Sequence, residues 1–263
     1  MKTFILAVSV PVLALGLAAT AAAQLHTWTY AYKDGDAPLE GYVACESSGA
    51  AKKPGVLVVH EWLGVDPYIR SRADQLAKLG YVAFAADIYG KGIRPANTVE
   101  AAAQAAIYRA DRKLMRSRIN AALTELRKQP GVDPAKIAVI GYCFGGGVAL
   151  ELARSGADIL GAASFHGNLD TPDPDDAKNI KGRVIAFHGA DDPYVSTGTV
   201  AAFQSEMRNA GVDWQMNIYG GAVHRFSNPA AGSDVKSGAA YNEKADRRSW
   251  EALQAFFAGI FGK

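Results

Sequence analysis

The stretch GYCFGG, residues 141–146, follows the apolar run 137–140 and opens a helix-like segment at 148–153. Its G-x-C-x-G pattern between a strand and a helix is that of a nucleophile elbow with cysteine in place of serine, so Cys143 is a candidate nucleophile. Small neighbours allow the sharp turn, and the N-terminus of the helix supplies N–H groups that favour a thiolate and later an oxyanion. A buried structural cysteine in a glycine-rich turn is the alternative. Nucleotide binding is disfavoured, because the stretch is neither G-x-G-x-x-G nor a P-loop.

Around this turn, apolar strand-like runs alternate with segments of helical spacing, after two strand-like segments near the N-terminus. This alternation predicts an α/β protein with a mostly parallel central sheet flanked by helices on both faces. We place strands at 26–33, 39–46, 56–60, 81–86, 137–140, 159–165, 184–188 and 214–219. Helical stripes are Ile69, Ala73 and Leu76; Ile119, Leu123 and Leu126; Val200, Phe203 and Met207; and Trp250, Leu253, Phe257 and Ile260.

The composition is that of an ordinary globular chain, with 263 residues of which 49% are hydrophobic and 21% charged. No repeat or Gly/Ser-rich linker divides it, so we expect one domain over residues 24–263, and we expect a monomer. The formal net charge of +2 gives no indication of nucleic-acid binding.

Residues 1–23 differ from the rest of the chain. Lys2 precedes an apolar run at 4–17, and three alanines at 21–23 form an A-x-A type cleavage site before Gln24. We interpret this segment as a signal peptide, which predicts a periplasmic or secreted protein. The apolar run is short for a membrane span and has no stop-transfer flank, so a retained anchor is the less favoured alternative.

Two cysteines in an exported protein raise the question of a disulfide. Cys45 lies in an alternating strand, whereas Cys143 lies at a turn whose exposure suits chemistry, and a bridge needs α-carbons within about 7 Å. We expect no bridge between them and an inert Cys45.

Partners for Cys143 are expected on loops beyond the carboxyl ends of the strands. GADDPYV, residues 189–195, follows one strand and offers a carboxylate, and GGAVHRF, residues 220–226, follows the next and offers His224. Nucleophile, acid and histidine then come in the chain order of α/β-hydrolases, which predicts that fold and a catalytic triad. His224 would take the thiol proton and return it to the leaving group, while the acid fixes its tautomer.

For the acid we choose Asp192, because Pro193 stiffens the loop after it; Asp191 is its helper or an exposed neighbour. Asp170, after the preceding strand, is the reserve. The acidic loop at 173–176 lacks the D-x-D-x-D-G spacing of a calcium loop.

HEWLG, residues 60–64, comes directly after the first central strand. In α/β-hydrolases this loop supplies one oxyanion-hole N–H and the residue after the nucleophile supplies the other, so Trp62 and Phe144 are the expected donors. Glu61 adds a carboxylate where burial is costly. A catalytic role accounts for it; the alternative is a structural pair with Arg70, Arg72 or His60.

Together these residues resemble the dienelactone hydrolases, or carboxymethylenebutenolidases. The resemblance rests on Glu61, Cys143, Asp192 and His224 in their motifs, and it covers nearly the whole chain after residue 23, including YVA at 81–83 and DIYG at 87–90. It implies hydrolysis of an enol-lactone through a thioester, without a metal or organic cofactor. It also implies that Glu61 holds the resting thiol and moves toward it when substrate binds, so that the thiolate forms only then.

The departures from the family concern the substrate. Members acting on dienelactone hold its carboxylate with two arginines, and those places hold Lys91 and Asn228 here. Lys91 keeps a positive charge without the bidentate fork, and Asn228 keeps none. Arg225 and Arg94 are candidates to compensate. We expect Lys91, Arg225, Tyr89 and His166 to contact substrate.

Two other functions stay open at this point. A thiol carboxylesterase of broader specificity would use the same four residues on simple esters. A non-catalytic periplasmic binding protein would keep a pocket but form no acyl-enzyme.

Overall fold

The computed structural model describes Met1 and residues 24–47 and 51–262. The expected signal peptide therefore lies outside the described residues, apart from Met1. In the described part, no helix is long and apolar enough to cross a bilayer.

Eight strands of the described residues form one sheet in the order β1-β2-β4-β3-β5-β6-β7-β8. Pairing is antiparallel for β1 with β2 and for β2 with β4, and every other neighbouring pair is parallel. The mostly parallel sheet predicted from the sequence is confirmed. The strands are β1 Leu25–Asp34, β2 Ala37–Glu46, β3 Lys53–Val59, β4 Val82–Ala86, β5 Val132–Tyr142, β6 Gly161–Phe165, β7 Arg183–Gly189 and β8 Trp214–Tyr219.

Helices cover both faces of this sheet, because successive residues of a strand point to opposite sides. In β3, Leu57 and Val59 pack toward one face, and Val56 and Val58 toward the other. The first face carries α2, α3 and α4, and the second carries α1 and α6, while α5 packs on a smaller apolar cluster. The helices are α1 Pro67–Lys78, α2 Thr98–Ala110, α3 Arg112–Lys128, α4 Phe144–Arg154, α5 Thr197–Asn209 and α6 Glu243–Phe261.

The helix α2 was not predicted from the sequence. Its buried face consists of Ala101, Ala105 and Tyr108. Alanine also occupies several exposed positions of the same helix, so the contrast between apolar and polar faces is weak. The strand β5 also runs longer than the predicted 137–140, because Val132 and Asp133 extend the pairing with β3 across a register shift.

A buried ion cluster holds the helix that follows Cys143. Arg154, at the end of α4, has no exposed side-chain surface; its Nε lies 2.7 Å from Glu206 Oε1 on α5 and its Nη1 lies 3.1 Å from Glu151 Oε1. Its Nη2 donates to the carbonyl of Leu169 at 3.0 Å. The cluster therefore joins α4, α5 and the loop after β6.

Replacing Arg154 by methionine should lower the free energy of unfolding by about 3–5 kcal/mol, because buried Glu206 loses its cation and Glu151 is left with Arg116. Urea denaturation measures the change. The control is Lys178→Ala, which breaks an exposed pair with Asp175 and should leave the unfolding curve unchanged. An unchanged curve for Arg154→Met would show that the cluster does not stabilise the fold.

Candidate active site

Cys143 lies between the last residue of β5 and the first residue of α4, with φ 53° and ψ −119°. A positive φ is uncommon outside glycine and costs roughly 1–3 kcal/mol. The turn depends on two glycines, since a Cβ on Gly141 would come 1.9 Å from the carbonyl oxygen of Gly145, and one on Gly145 would come 2.4 Å from that of Val59. The nucleophile elbow predicted from the sequence is present.

Asp192 follows β7 and has a fully buried side chain. Its Oδ1 accepts from the N–H of Tyr194 at 2.9 Å, and its Oδ2 lies 2.8 Å from His224 Nδ1. The two rejected carboxylates lie elsewhere. Asp191 is exposed, and Asp170 pairs with Arg112 at 2.7 Å with over half of its side chain exposed.

His224 lies in the loop after β8, where its backbone pairs with the segment 238–240. Its Nε2 lies 3.0 Å from Cys143 Sγ, so that its ring joins the thiol to Asp192. Burial acts to lower the pKa of His224, but the negative partners Cys143 and Asp192 outweigh burial and raise it to about 10. The protonated imidazolium is therefore the favoured form of His224 at neutral pH.

The HEWLG loop is fixed by buried side chains beneath it. His60 Nδ1 donates to the carbonyl of Glu61 at 2.5 Å, and its Nε2 accepts from the N–H of Ile88 at 3.2 Å. Tyr89 donates from its hydroxyl to the carbonyl of Trp62 at 3.2 Å. Burial lowers the pKa of His60, which keeps the ring neutral in this role. Trp62, in the loop, and Phe144, at the start of α4, are the two predicted oxyanion donors, and the tight approach of Gly145 to β3 packs the start of α4 against this loop.

No hydrogen bond joins Glu61 to Cys143 in the described residues. Its carboxylate receives two hydrogen bonds from Arg225 Nε, at 3.1 and 3.2 Å, one from Arg225 Nη2 at 2.9 Å and one from Asn228 Nδ2 at 2.6 Å. The expected hold on the resting thiol is therefore absent from this structure, and so are side-chain pairs of Glu61 with Arg70, Arg72 or His60.

Arg225 adopts φ 57°, which turns its side chain back toward Glu61. Burial acts to lower its pKa, but Glu61 and then Cys143 outweigh burial and raise it. Arg225 directly follows His224, whose ring lies 3.0 Å from Cys143 Sγ. Nothing in the sequence signals the pairing of Arg225 with Glu61, because it depends on the left-handed backbone of Arg225.

All four residues expected to contact substrate have partners within the protein, and that of Arg225 is Glu61. Lys91 is more than half exposed and lies 3.5 Å from Glu40 on β2. Tyr89 is buried and supports the HEWLG loop, and His166 is fully buried with both ring nitrogens bonded. Their contact with substrate stays a prediction.

A cavity of about 730 Å³ lies next to the HEWLG loop and is lined by Leu63, Val65, Arg70 and Arg94 among others. The three residues of the Cys-His-Asp arrangement are not among its walls. In the described residues, no group of three or more His, Cys, Asp or Glu side chains could hold a metal ion.

A family model described as the dienelactone hydrolase family matches residues 39–261. A putative carboxymethylenebutenolidase of Synechocystis sp. is 27% identical over 237 residues, which cover 83% of this chain and 91% of that protein. A probable 2-oxo-3-(5-oxofuran-2-ylidene)propanoate lactonase of Bradyrhizobium sp. is 29% identical over 182 residues, covering 66% of this chain and 73% of that protein.

Among solved structures, a dienelactone hydrolase-like promiscuous phosphotriesterase from metagenomic libraries is 38% identical to this chain. The two superpose with a TM-score of 0.86 over 91% of this chain and 99% of the other. The likeness extends over nearly the whole fold.

Glu61→Gln should increase the rate at which iodoacetamide alkylates Cys143 at neutral pH. The change removes one negative charge and leaves Arg225 free to favour a thiolate. The rate is measured in a Cys45→Ala background, so that the signal comes from Cys143. Glu40→Gln, which removes the partner of Lys91, is the matched control and should not change the rate. An unchanged rate with a lower melting temperature would assign Glu61 a purely structural role.

Proposed function

This chain belongs to the dienelactone hydrolase family, and we propose that it hydrolyses a carboxylic ester or lactone through a thioester on Cys143. One observation carries the proposal: His224 bridges Cys143 Sγ at 3.0 Å and Asp192 Oδ2 at 2.8 Å. Three groups of the types needed for nucleophilic catalysis are thus within hydrogen-bond distance, in the required order.

In the first half of the reaction, the Cys143 thiolate attacks the carbonyl carbon of the substrate. The carbonyl oxygen becomes an oxyanion, which the N–H groups of Trp62 and Phe144 stabilise. Collapse of this intermediate breaks the C–O bond, and His224 gives its proton to the departing alkoxide or enolate. For a lactone, the released oxygen stays on the acyl chain, because the ring opens.

In the second half, His224 takes a proton from a water molecule whose oxygen attacks the thioester. The C–S bond then breaks, the thiolate of Cys143 returns and the carboxylic acid product leaves. Asp192 keeps the proton of His224 Nδ1 in place and stabilises the imidazolium in both halves.

For the substrate we propose an enol-lactone of the dienelactone type. The names of the carboxymethylenebutenolidase and lactonase relatives support this class. For a substrate carboxylate we propose Arg225, because its guanidinium is largely buried beside Glu61 whereas the Lys91 side chain is more than half exposed. A broad carboxylesterase is the competing function. Steady-state kcat/KM for a dienelactone against short-chain nitrophenyl esters distinguishes the two.

A second activity, on phosphotriesters, is supported by the phosphotriesterase structure at 38% identity. The Cys143–His224 pair fits this activity, because its hydrogen bond is formed without a carboxylate from the substrate. Thiolate attack at phosphorus would displace nitrophenolate from a diethyl nitrophenyl phosphate. Nitrophenolate release, compared between the unaltered protein and Cys143→Ala, measures it.

Cys143→Ala should abolish hydrolysis, and the unaltered protein should gain the mass of the acyl group when mixed with a slow ester. Intact-mass spectrometry and steady-state assays check both results. Cys45→Ala is the control and should hydrolyse normally. Full activity in Cys143→Ala would rule out the thioester.

Asp192→Asn should lower kcat by about 10⁴-fold, because the amide no longer favours the required tautomer of His224. Asp170→Asn removes a carboxylate that pairs with Arg112 on the surface, and we expect it to leave kcat near normal. Steady-state kinetics on one ester compare the two variants. A mild effect of Asp192→Asn together with a large effect of Asp170→Asn would show that Asp170 is the acid and Asp192 is not.

A further inference from the structure

His166 follows β6 directly and adopts φ 38°, which turns its ring inward beneath the nucleophile turn. The side chain is fully buried, and its ring centroid lies 5.3 Å from that of His224. Its backbone N–H donates to the carbonyl of Phe187 at 2.8 Å, which fixes it to β7.

The hydrogen bonds of this ring determine its tautomer. Nδ1 lies 3.2 Å from the backbone nitrogen of Cys143, which can only donate, so Nδ1 is the unprotonated acceptor. The proton of the neutral ring is therefore on Nε2, which donates to Ser227 Oγ at 2.8 Å. The N–H of Cys143 is shared with the carbonyl of Phe165 at 3.0 Å.

Beyond Ser227 the network continues to helices α1 and α6. Ser227 Oγ lies 2.7 Å from Tyr68 Oη, and Tyr68 donates to the carbonyl of Ser227 at 3.2 Å. Arg72 donates to Tyr68 Oη at 3.3 Å and to the Ser227 carbonyl at 2.7 Å, and it also pairs with Asp246. Ser227 belongs to the same loop as His224, so His166 connects the nucleophile turn to the loop of the general base.

The surroundings of His166 favour the neutral ring. Burial lowers its pKa well below the usual range, and the positive charges of His224, Arg225 and Arg72 lower it further. Tyr142, whose ring lies 6.1 Å away, is the other titratable group packed against it, and burial raises the pKa of that hydroxyl. His166 is therefore a fixed acceptor for the Cys143 N–H over the ordinary pH range.

We propose that His166 is a positioning residue that holds Cys143 Sγ and His224 Nε2 together by bridging the backbone of Cys143 to Ser227. Without the bridge, the strained turn at Cys143 and the loop of His224 are free to move apart, and the thiolate loses its imidazolium partner. The inference rests on the proposed role of Cys143, but it concerns the thiol itself and not the identity of the substrate.

The test compares three variants in a Cys45→Ala background. His166→Leu removes both contacts, His166→Asn keeps an acceptor near the position of Nδ1, and Ser227→Ala removes the far end of the bridge. The readouts are kcat and KM on one ester and the rate of iodoacetamide alkylation of Cys143 as a function of pH. We expect His166→Leu to lower kcat by about 10- to 100-fold with KM nearly unchanged. We also expect its alkylation curve to move to higher pH, and the Asn and Ala variants to lie between Leu and the unaltered protein.

Phe203→Leu, in the apolar cluster around α5, is the control for lost stability. It should lower the melting temperature without moving the alkylation curve. The proposal is overturned if His166→Leu keeps the normal curve and kcat, or if it lowers the melting temperature and kcat while the curve stays in place. If His166→Leu does not fold, normal values in both His166→Asn and Ser227→Ala overturn it. An active Cys143→Ala variant would show separately that the thioester mechanism is wrong. The alkylation test does not depend on that result, because iodoacetamide reacts with Cys143 without substrate.

Discussion

The close approach of helix α4 to the end of strand β3 determines where the reacting groups lie. Gly145 sits so near the carbonyl oxygens of Val59 and His60 that a Cβ there would come within 2.4 and 2.5 Å of them. This contact packs the start of α4, which holds Phe144, against the HEWLG loop, which holds Trp62. It also places Cys143 at the one sharp bend between β5 and α4, with its side chain directed toward the loops beyond β7 and β8.

Whether a buried histidine of this protein is charged depends on whether it has negative partners. Burial lowers the pKa of His60, His166 and His188. The pKa of His224 is instead raised, because Cys143 and Asp192 both act on it against the effect of burial. His60 and His166 are neutral rings that hold the backbone, and His224 is the ring that carries charge. This division of roles comes from contacts, because the residue type is the same in each case.

Much of this arrangement could be predicted from the sequence, because its decisive parts are local. The carboxyl ends of adjacent parallel strands meet at one edge, so Cys143, Asp192 and His224 had to lie close once the strands were placed. The partners of Glu61 and the role of His166 could not be predicted in the same way. Arg225 and His166 both have left-handed backbones that no residue type announces, and their contacts join distant segments. The alanine-rich helix α2 could not be predicted for a different reason. A helix with apolar residues on most of its faces shows no periodic pattern in the sequence.

The hydrogen-bond network from His166 to Asp246 affects the order in which parts of the protein fold. Arg72 and Asp246 are 174 positions apart in the chain, and the Arg72 contact to the Ser227 carbonyl spans 155. Contacts of such long sequence separation form late, because a large loop must close before they stabilise anything. The sheet and the nucleophile turn can assemble while the last helix is still being synthesised, whereas the pair of Arg72 with Asp246 forms only when α6 docks. The far end of the network that holds the loop of His224 is therefore completed last, by the C-terminal helix.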